Sequence, residues 1–140
     1  MKQILKTLPG LLALFGLFIF FQTRPAQAAA IEIEIFYLPH PPAMAVVDKV
    51  EQVAGEFAKA TINKYSFEDP KSRKMMEKYH LTDHMPVAVF INGKDSFTLD
   101  GRTVKLRNFP KGDPFVPMFA GEWDYADLRV ILAGLAGAGR

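Results

Sequence analysis

Residues 78–90 read KYHLTDHMPVAVF and are the most informative stretch for the architecture of the chain. The first of them end a polar, helix-forming segment, whereas Val87–Ile91 is an unbroken apolar run that is typical of a buried strand. Pro86 stands directly before this run and has no N–H group to donate to a neighbouring strand. His80 lies where the helix gives way to the loop, a position that often needs a positive φ, which histidine tolerates. The stretch predicts a helix, a loop and a buried strand that begins after a proline.

On the N-terminal side, residues 31–38 read IEIEIFYL and predict a strand with a period of two. Glu32 and Glu34 alternate with the isoleucines, so we expect them on an exposed face. The proline-rich residues 39–42 end this strand, and the apolar spacing after them predicts a helix over about 43–59. A second strand is predicted over about 61–67, which makes this half of the chain a βαβ unit with parallel strands.

On the C-terminal side, the turn-forming and helix-capping residues predict a hairpin region and a last helix. Asp69-Pro70 is a helix start that leads into the segment ending at His80. Turns at Asn92-Gly93 and Asp100-Gly101 separate predicted strands over 87–91, 96–99 and 103–106, and a loop is predicted over 107–122. Asp124 then caps the last helix. The order predicts an α/β fold with a mixed central sheet of about four to five strands and flanking helices.

Residues 1–28 have the features of a cleaved secretory signal peptide. Lys2 and Lys6 precede an apolar run over 11–21, and Ala26-Gln27-Ala28 is a small-x-small cleavage site. An uncleaved anchor is the alternative, but the run is shorter than the roughly 20 residues that a spanning helix needs. Residues 29–140 are then a single domain in the periplasm or outside the cell, with membrane contact only through the transient signal peptide.

The composition excludes several classes of function. The chain has 140 residues, of which 49% are hydrophobic and 23% charged, and no cysteine. A disulfide framework, a zinc ribbon, an iron–sulfur cluster and all thiol chemistry are therefore excluded. The formal net charge of +2 is too small to indicate a nucleic-acid partner. No residue constellation supports another reaction, so we expect the protein not to be an enzyme and to have no cofactor.

Over residues 30–136 the chain resembles the thioredoxin-like superfamily, through three stretches. Residues 36–44, FYLPHPPAM, look like the strand-to-helix turn that holds the family's Cys-x-x-Cys. Residues 78–90 look like its helix, loop, cis-proline and third strand, and residues 119–131 look like its final glycine and helix. The resemblance implies a three-layer fold in which the turn and the loop before Val87 face each other.

The resemblance also shows what has been lost. Pro41 and Met44 stand at the two cysteine positions, so dithiol–disulfide exchange is chemically impossible here. Pro86 matches the cis-proline, so the resemblance implies a cis peptide bond. In the family, the residue before this proline, here Met85, offers backbone hydrogen bonds to an extended partner peptide. Peptide docking needs no thiol and can outlast the loss of the cysteines.

The leading hypothesis is a non-catalytic thioredoxin-like domain that binds a protein or peptide partner. A second candidate surface is the aromatic, proline-rich segment over residues 109–119, because aromatic residues and methionine are enriched in the cores of interfaces. The predicted partner-binding residues come from the turn over residues 36–44, from the loop over 84–86, which we call the proline loop, and from this segment. They are Pro41, Pro42, Met44, Met85, Pro86, Phe115 and Met118.

The alternative hypothesis is a periplasmic Cu(I)-binding protein or copper chaperone. A thioredoxin-like arrangement would bring together two imidazoles and two thioethers, from His40, Met44, His84 and Met85. Such soft, neutral ligands favour Cu(I) over zinc or magnesium. A structural role remains open for each: Met44 would cap the helix, Met85 would pack, and the histidines would be exposed polar residues.

Overall fold

The computed structural model describes residues 30–112 and 117–138. The predicted signal peptide and Phe115 lie outside these ranges. Within these ranges the chain forms three α-helices and five strands, which are β1 (Ile31–Tyr37), α1 (Pro41–Ala54), β2 (Ala60–Ser66), α2 (Arg73–Lys78), β3 (Val87–Ile91), β4 (Ser96–Leu99), β5 (Arg102–Lys105) and α3 (Tyr125–Gly137). Two short 3-10 helices, Pro70–Ser72 and Pro117–Phe119, precede α2 and α3.

The main sheet has the strand order β2-β1-β3, with β1 parallel to β2 and antiparallel to β3. The predicted α/β class and the mixed sheet are confirmed, but the expected four to five strands in the central sheet are wrong, because β4 and β5 form a separate two-stranded sheet. The chain after β5 meets β3 only briefly. Val89 N–H donates to the Leu106 carbonyl at 2.9 Å and Asn108 N–H to that of Val87 at 2.8 Å. Asn108 then takes a φ of +64°, which turns the chain away before a ladder forms.

Helices cover both faces of the main sheet. The isoleucines of β1 share the larger apolar cluster with the buried valines of α1 and with Leu128, Ile131 and Leu132 of α3. On the opposite face, Phe36 and Phe90 form a smaller aromatic cluster that is covered by Met76 of α2 and by Tyr79, the residue directly after α2. No helix among the described residues has the length and apolar content needed to cross a membrane.

The first helix begins earlier and ends earlier than predicted. Pro41 and Pro42 occupy its first turn, where a missing N–H costs no hydrogen bond, and His40 is its N-cap residue. The prolines that were expected only to end β1 therefore also start α1. This placement brings residues 38–43 to the end of β1, beside the loop before β3.

Candidate functional site

The turn after β1 and the loop before β3 meet, as the sequence predicts. Leu38 N–H donates to the Pro86 carbonyl oxygen at 2.9 Å. The Met85–Pro86 bond is nevertheless trans, because the described residues contain no cis peptide bond, and the expected cis-proline is wrong. The trans form is the intrinsically preferred one for a peptide bond before proline. The Pro86 carbonyl therefore accepts the Leu38 N–H although the Met85–Pro86 peptide bond is trans.

An apolar groove lies where the two segments meet, with a volume of about 260 Å³ and apolar exposed walls. We call it the apolar groove. It is lined by residues from the turn, from the proline loop and from the chain before α3, namely Leu38, His40, Pro42, Ala43, Pro86, Phe109 and Phe119. Concave apolar surfaces of this kind are typical of sites that take an apolar ligand group.

The far wall of the apolar groove depends on a close backbone approach. Phe109 N–H donates to the Phe119 carbonyl at 2.8 Å, and Gly121 N–H donates to the Phe109 carbonyl at 2.6 Å. A side chain at position 121 would lie 2.8 Å from the Phe109 carbonyl oxygen and closer still to that of Arg107. Glycine therefore allows the close backbone approach that holds Phe109 and Phe119 at the groove.

A second depression, of about 370 Å³, adjoins the first, and we call it the acidic pocket. Its floor is apolar, with the largely buried side chains of Phe67 and Leu81. The carboxylates that line it belong to Glu68, Asp69 and Asp83, and Arg73 and His84 line it as well. His40 Nε2 in the apolar groove lies 3.5 Å from Glu68 Oε1 in the acidic pocket, so the two depressions meet at this pair.

The predicted partner-binding residues are only partly brought together. Pro42 and Pro86 line the apolar groove, whereas Pro41 is exposed beside it. Met44 is half-buried one turn into α1, and Met85 is half-buried against the smaller aromatic cluster. Met118 is 78% exposed in the 3-10 helix next to Phe119.

Sequence reasoning missed Leu38, Ala43, Phe109 and Phe119 as groove residues. The segment over 109–119 was singled out for its aromatic residues, so a signal was present. Nothing in a non-periodic segment, however, tells which of its aromatic rings turns toward a distant loop.

Of the four residues of the copper hypothesis, His40 lines the apolar groove and His84 the acidic pocket, whereas Met44 and Met85 line neither. His40 and Met44 belong to the start of α1, and Met44 N–H donates to the His40 carbonyl at 2.9 Å. His84 lines the acidic pocket and its Nε2 lies 3.6 Å from Asp83 Oδ1. The described residues hold no group of three or more His, Cys, Asp or Glu side chains suited to a metal ion. The Cu(I) site stays a prediction. It can be tested by letting the protein compete with a chelator for Cu(I), and both His40→Ala and His84→Ala should weaken the protein's Cu(I) affinity.

A buried carboxylate that lines neither depression lies on the face of the sheet that carries the smaller aromatic cluster. Glu34 is only 3% exposed, so its expected place on an exposed strand face is wrong. Tyr79 covers it and donates its hydroxyl to Glu34 Oε2, while Lys78 Nζ lies 3.7 Å from Oε1. Burial, and then the bond to Glu34, raise the pKa of Tyr79. The phenol therefore stays protonated and remains a donor.

Comparison of the chain with protein-family models, with curated proteins and with solved structures finds no match.

Proposed function

We propose that this protein is a secreted or periplasmic thioredoxin-like domain without thiol chemistry that binds an extended segment of a protein partner. The observation that carries the proposal is the apolar groove beside the Met85–Pro86 bond. A partner's apolar side chain would enter the groove, and its backbone would lie along the proline loop.

Free backbone groups at Met85 support this proposal. Among the described residues, neither its N–H nor its carbonyl takes part in a backbone hydrogen bond, whereas the neighbouring Pro86 carbonyl is used by Leu38. An extended peptide binds a protein edge through such groups and gains specificity from side-chain pockets next to them. The main sheet, with one parallel and one antiparallel neighbour of β1 and helices on both faces, is also consistent with a thioredoxin-like fold.

The chemistry of the chain is consistent with binding and not with thiol exchange. Pro41 is exposed at the surface and Met44 is half-buried, and neither side chain can form a thiolate. Between these two positions, Pro42 and Ala43 contribute apolar surface to the apolar groove.

A titration with short peptides tests the proposal. The probe is a capped octapeptide of Gly and Ser with one central Leu, and its control has Ser in place of the Leu. We expect the Leu peptide to shift the backbone amide signals of Ala43, Phe109 and Phe119 in a ¹⁵N-labelled sample of the chain, and the Ser peptide not to do so.

Two neighbouring prolines offer a matched pair of variants. Pro42→Glu places a charge on the groove wall and should abolish binding of the Leu peptide. Pro41→Glu makes the same change at the exposed neighbour in the same helical turn and should leave binding intact. Both positions lie in the first turn of α1, where an acidic residue is favourable, so both variants should fold. Equal binding by the two variants would overturn the proposal.

A further inference from the structure

We propose that the partner segment carries a lysine or arginine close to the apolar residue that enters the apolar groove. This inference rests on the proposed function and specifies the chemistry of the partner.

The two depressions are close enough for one short segment to occupy both. His40 lines the apolar groove, and the carboxylate that faces its Nε2 at 3.5 Å, that of Glu68, lines the acidic pocket. A residue of each depression therefore contacts a residue of the other. In an extended segment, side chains two positions apart point to the same side, so an apolar and a basic residue at i and i+2 face the protein together.

The charge at the acidic pocket favours a cation. Three carboxylates line it against one guanidinium, that of Arg73. Each carboxylate has a neighbour: Glu68 faces His40, Asp83 faces His84, and Asp69 accepts the Lys71 N–H at 2.9 Å. The Glu68 and Asp83 side chains nevertheless remain 58% and 68% exposed, so a ligand cation can approach them from solvent.

The floor of the acidic pocket suits the rest of a basic side chain. Phe67 and Leu81 are almost fully buried and Met76 is half-buried beneath the carboxylates. Lysine and arginine lay their methylene stems along apolar surface and keep the charged end in water. An apolar floor under an acidic rim therefore matches both parts of such a side chain, whereas an acidic segment would meet three like charges.

The test uses three capped octapeptides of Gly and Ser. One carries Leu and Lys two positions apart, the second Leu and Glu, and the third Ser and Lys. Because exposed charge pairs are worth little individually, we expect the Leu–Lys peptide to bind about three- to tenfold more tightly than the Leu–Glu peptide at low salt. The difference should shrink in 0.5 M NaCl, where exposed charges are screened.

Charge reversal provides the sharper readout. Glu68→Lys should invert the preference, so that the Leu–Glu peptide binds more tightly than the Leu–Lys peptide. Glu77→Lys reverses an exposed charge on α2 that does not line the acidic pocket, and it should keep the original preference. If Glu68→Lys leaves the preference unchanged, the acidic pocket is not its source and the inference is wrong.

The outcomes separate this inference from the function on which it rests. Equal binding of the Leu–Lys and Leu–Glu peptides would overturn the inference and leave the proposed function standing. Binding of the Ser–Lys peptide as tightly as the Leu–Lys peptide would mean that the apolar groove contributes nothing to binding, which overturns the proposed function and the inference with it. Binding of none of the three would refute the proposed function itself.

Discussion

At the scale of single residues, Gly121 has a packing role that the sequence alone does not show. Gly121→Ala would push a methyl group against the carbonyl oxygens of Arg107 and Phe109, which belong to the backbone and cannot rotate away. We expect a loss of about 1–3 kcal/mol in the free energy of unfolding, measured by urea denaturation. Gly134→Ala is the control, because nothing lies within 4 Å of that added methyl group.

The control variant Gly134→Ala is expected to change the stability in the opposite direction. Gly134 lies inside α3, where alanine is a better helix former, so Gly134→Ala should stabilise the protein by about 0.5–1 kcal/mol. Opposite signs for the two glycine variants would show that the close approach at position 121 is real. A neutral Gly121→Ala would contradict it.

The buried carboxylate gives a second prediction at this scale. Tyr79→Phe removes the hydroxyl that donates to Glu34 and leaves this buried carboxylate short of a donor. We expect the free energy of unfolding to fall by about 1–3 kcal/mol. Tyr65→Phe is the matched control, because the Tyr65 ring stacks on Phe36 at 5.0 Å but no hydrogen bond of its hydroxyl is found within the described part of the chain. A similar loss in both variants would mean that the Glu34 bond is not responsible.

The backbone conformation of single residues at element ends was predictable from the sequence. His80 has a φ of +51°, as its place at the end of a helix predicts. Sequence reasoning failed at Glu34, because a period of two divides a strand into two faces but does not tell that Tyr79, directly after α2, will cover one of them.

At the scale of elements, α3 depends on its cap. Asp124 accepts the Asp127 N–H at 2.8 Å, and the Asp127 carboxylate accepts the Asp124 N–H at 3.1 Å, which completes a capping box. We expect Asp124→Ala to lower the free energy of unfolding by about 1 kcal/mol in thermal or urea denaturation. Asp124→Asn keeps a capping oxygen and should recover most of the loss. Failure of asparagine to do so would argue for a role of the charge instead.

The contact between the end of α1 and α3 gives a pH prediction. Arg129 donates from Nε and one terminal nitrogen to Glu56 at 2.8 Å each, and these bonds lower the pKa of Glu56. Because the pKa is lower in the folded state, the contribution to stability is present above the unfolded pKa of about 4.3 and is lost as the pH falls through the folded value. Glu56→Gln should therefore be less stable than the parent at pH 7, and the difference should shrink as the pH falls below about 4.3.

A double variant checks that this pH effect belongs to the pair. Arg129→Gln should reproduce the loss at pH 7, and combining it with Glu56→Gln should add little, because either change alone breaks the same contact. A fully additive double variant would assign the two effects to separate causes.

The elements themselves were largely predictable from the sequence. The predicted bounds of β3 and β4 agree with the structure, because a dense β-branched run and two Gly-containing turns mark them. The placement of β4 and β5 in a sheet of their own was not predictable. It depends on the turn of the chain at Asn108, beyond the strands, and a single strand pattern carries no information about its partner.

At the scale of the whole molecule, the predicted signal peptide alters the electrostatics. Three of the 17 basic residues and none of the 15 acidic ones precede residue 29, so cleavage would leave 14 basic groups and a net charge near −1. Expression with export in a bacterial host should give a protein that begins at Ala29, as intact mass spectrometry would show. A chain that keeps Met1 after export would contradict the signal-peptide prediction.

The meeting of the turn and the proline loop was predictable, but the shape of the site was not. The resemblance placed residues 36–44 beside Pro86, and the Leu38–Pro86 hydrogen bond confirms that contact. The groove wall of Phe109 and Phe119 arises from pairing inside a segment without periodicity. The acidic pocket arises from two loops, at 68–70 and 81–84, whose approach no local pattern encodes.

The aromatic cluster around Phe36 has a consequence for how β1 finds its place during folding. Residues 31–35 repeat the same two letters, so a slide of β1 by two positions would again set isoleucine on one face and glutamate on the other. Phe36 interrupts the repeat, with ring neighbours in Tyr65, Tyr79 and Phe90 at 5.0, 5.7 and 5.7 Å. A slide in one direction would place Glu34 among those rings. One aromatic side chain thus distinguishes the native register of β1 from the register shifted by two residues, which has the same alternation of isoleucine and glutamate.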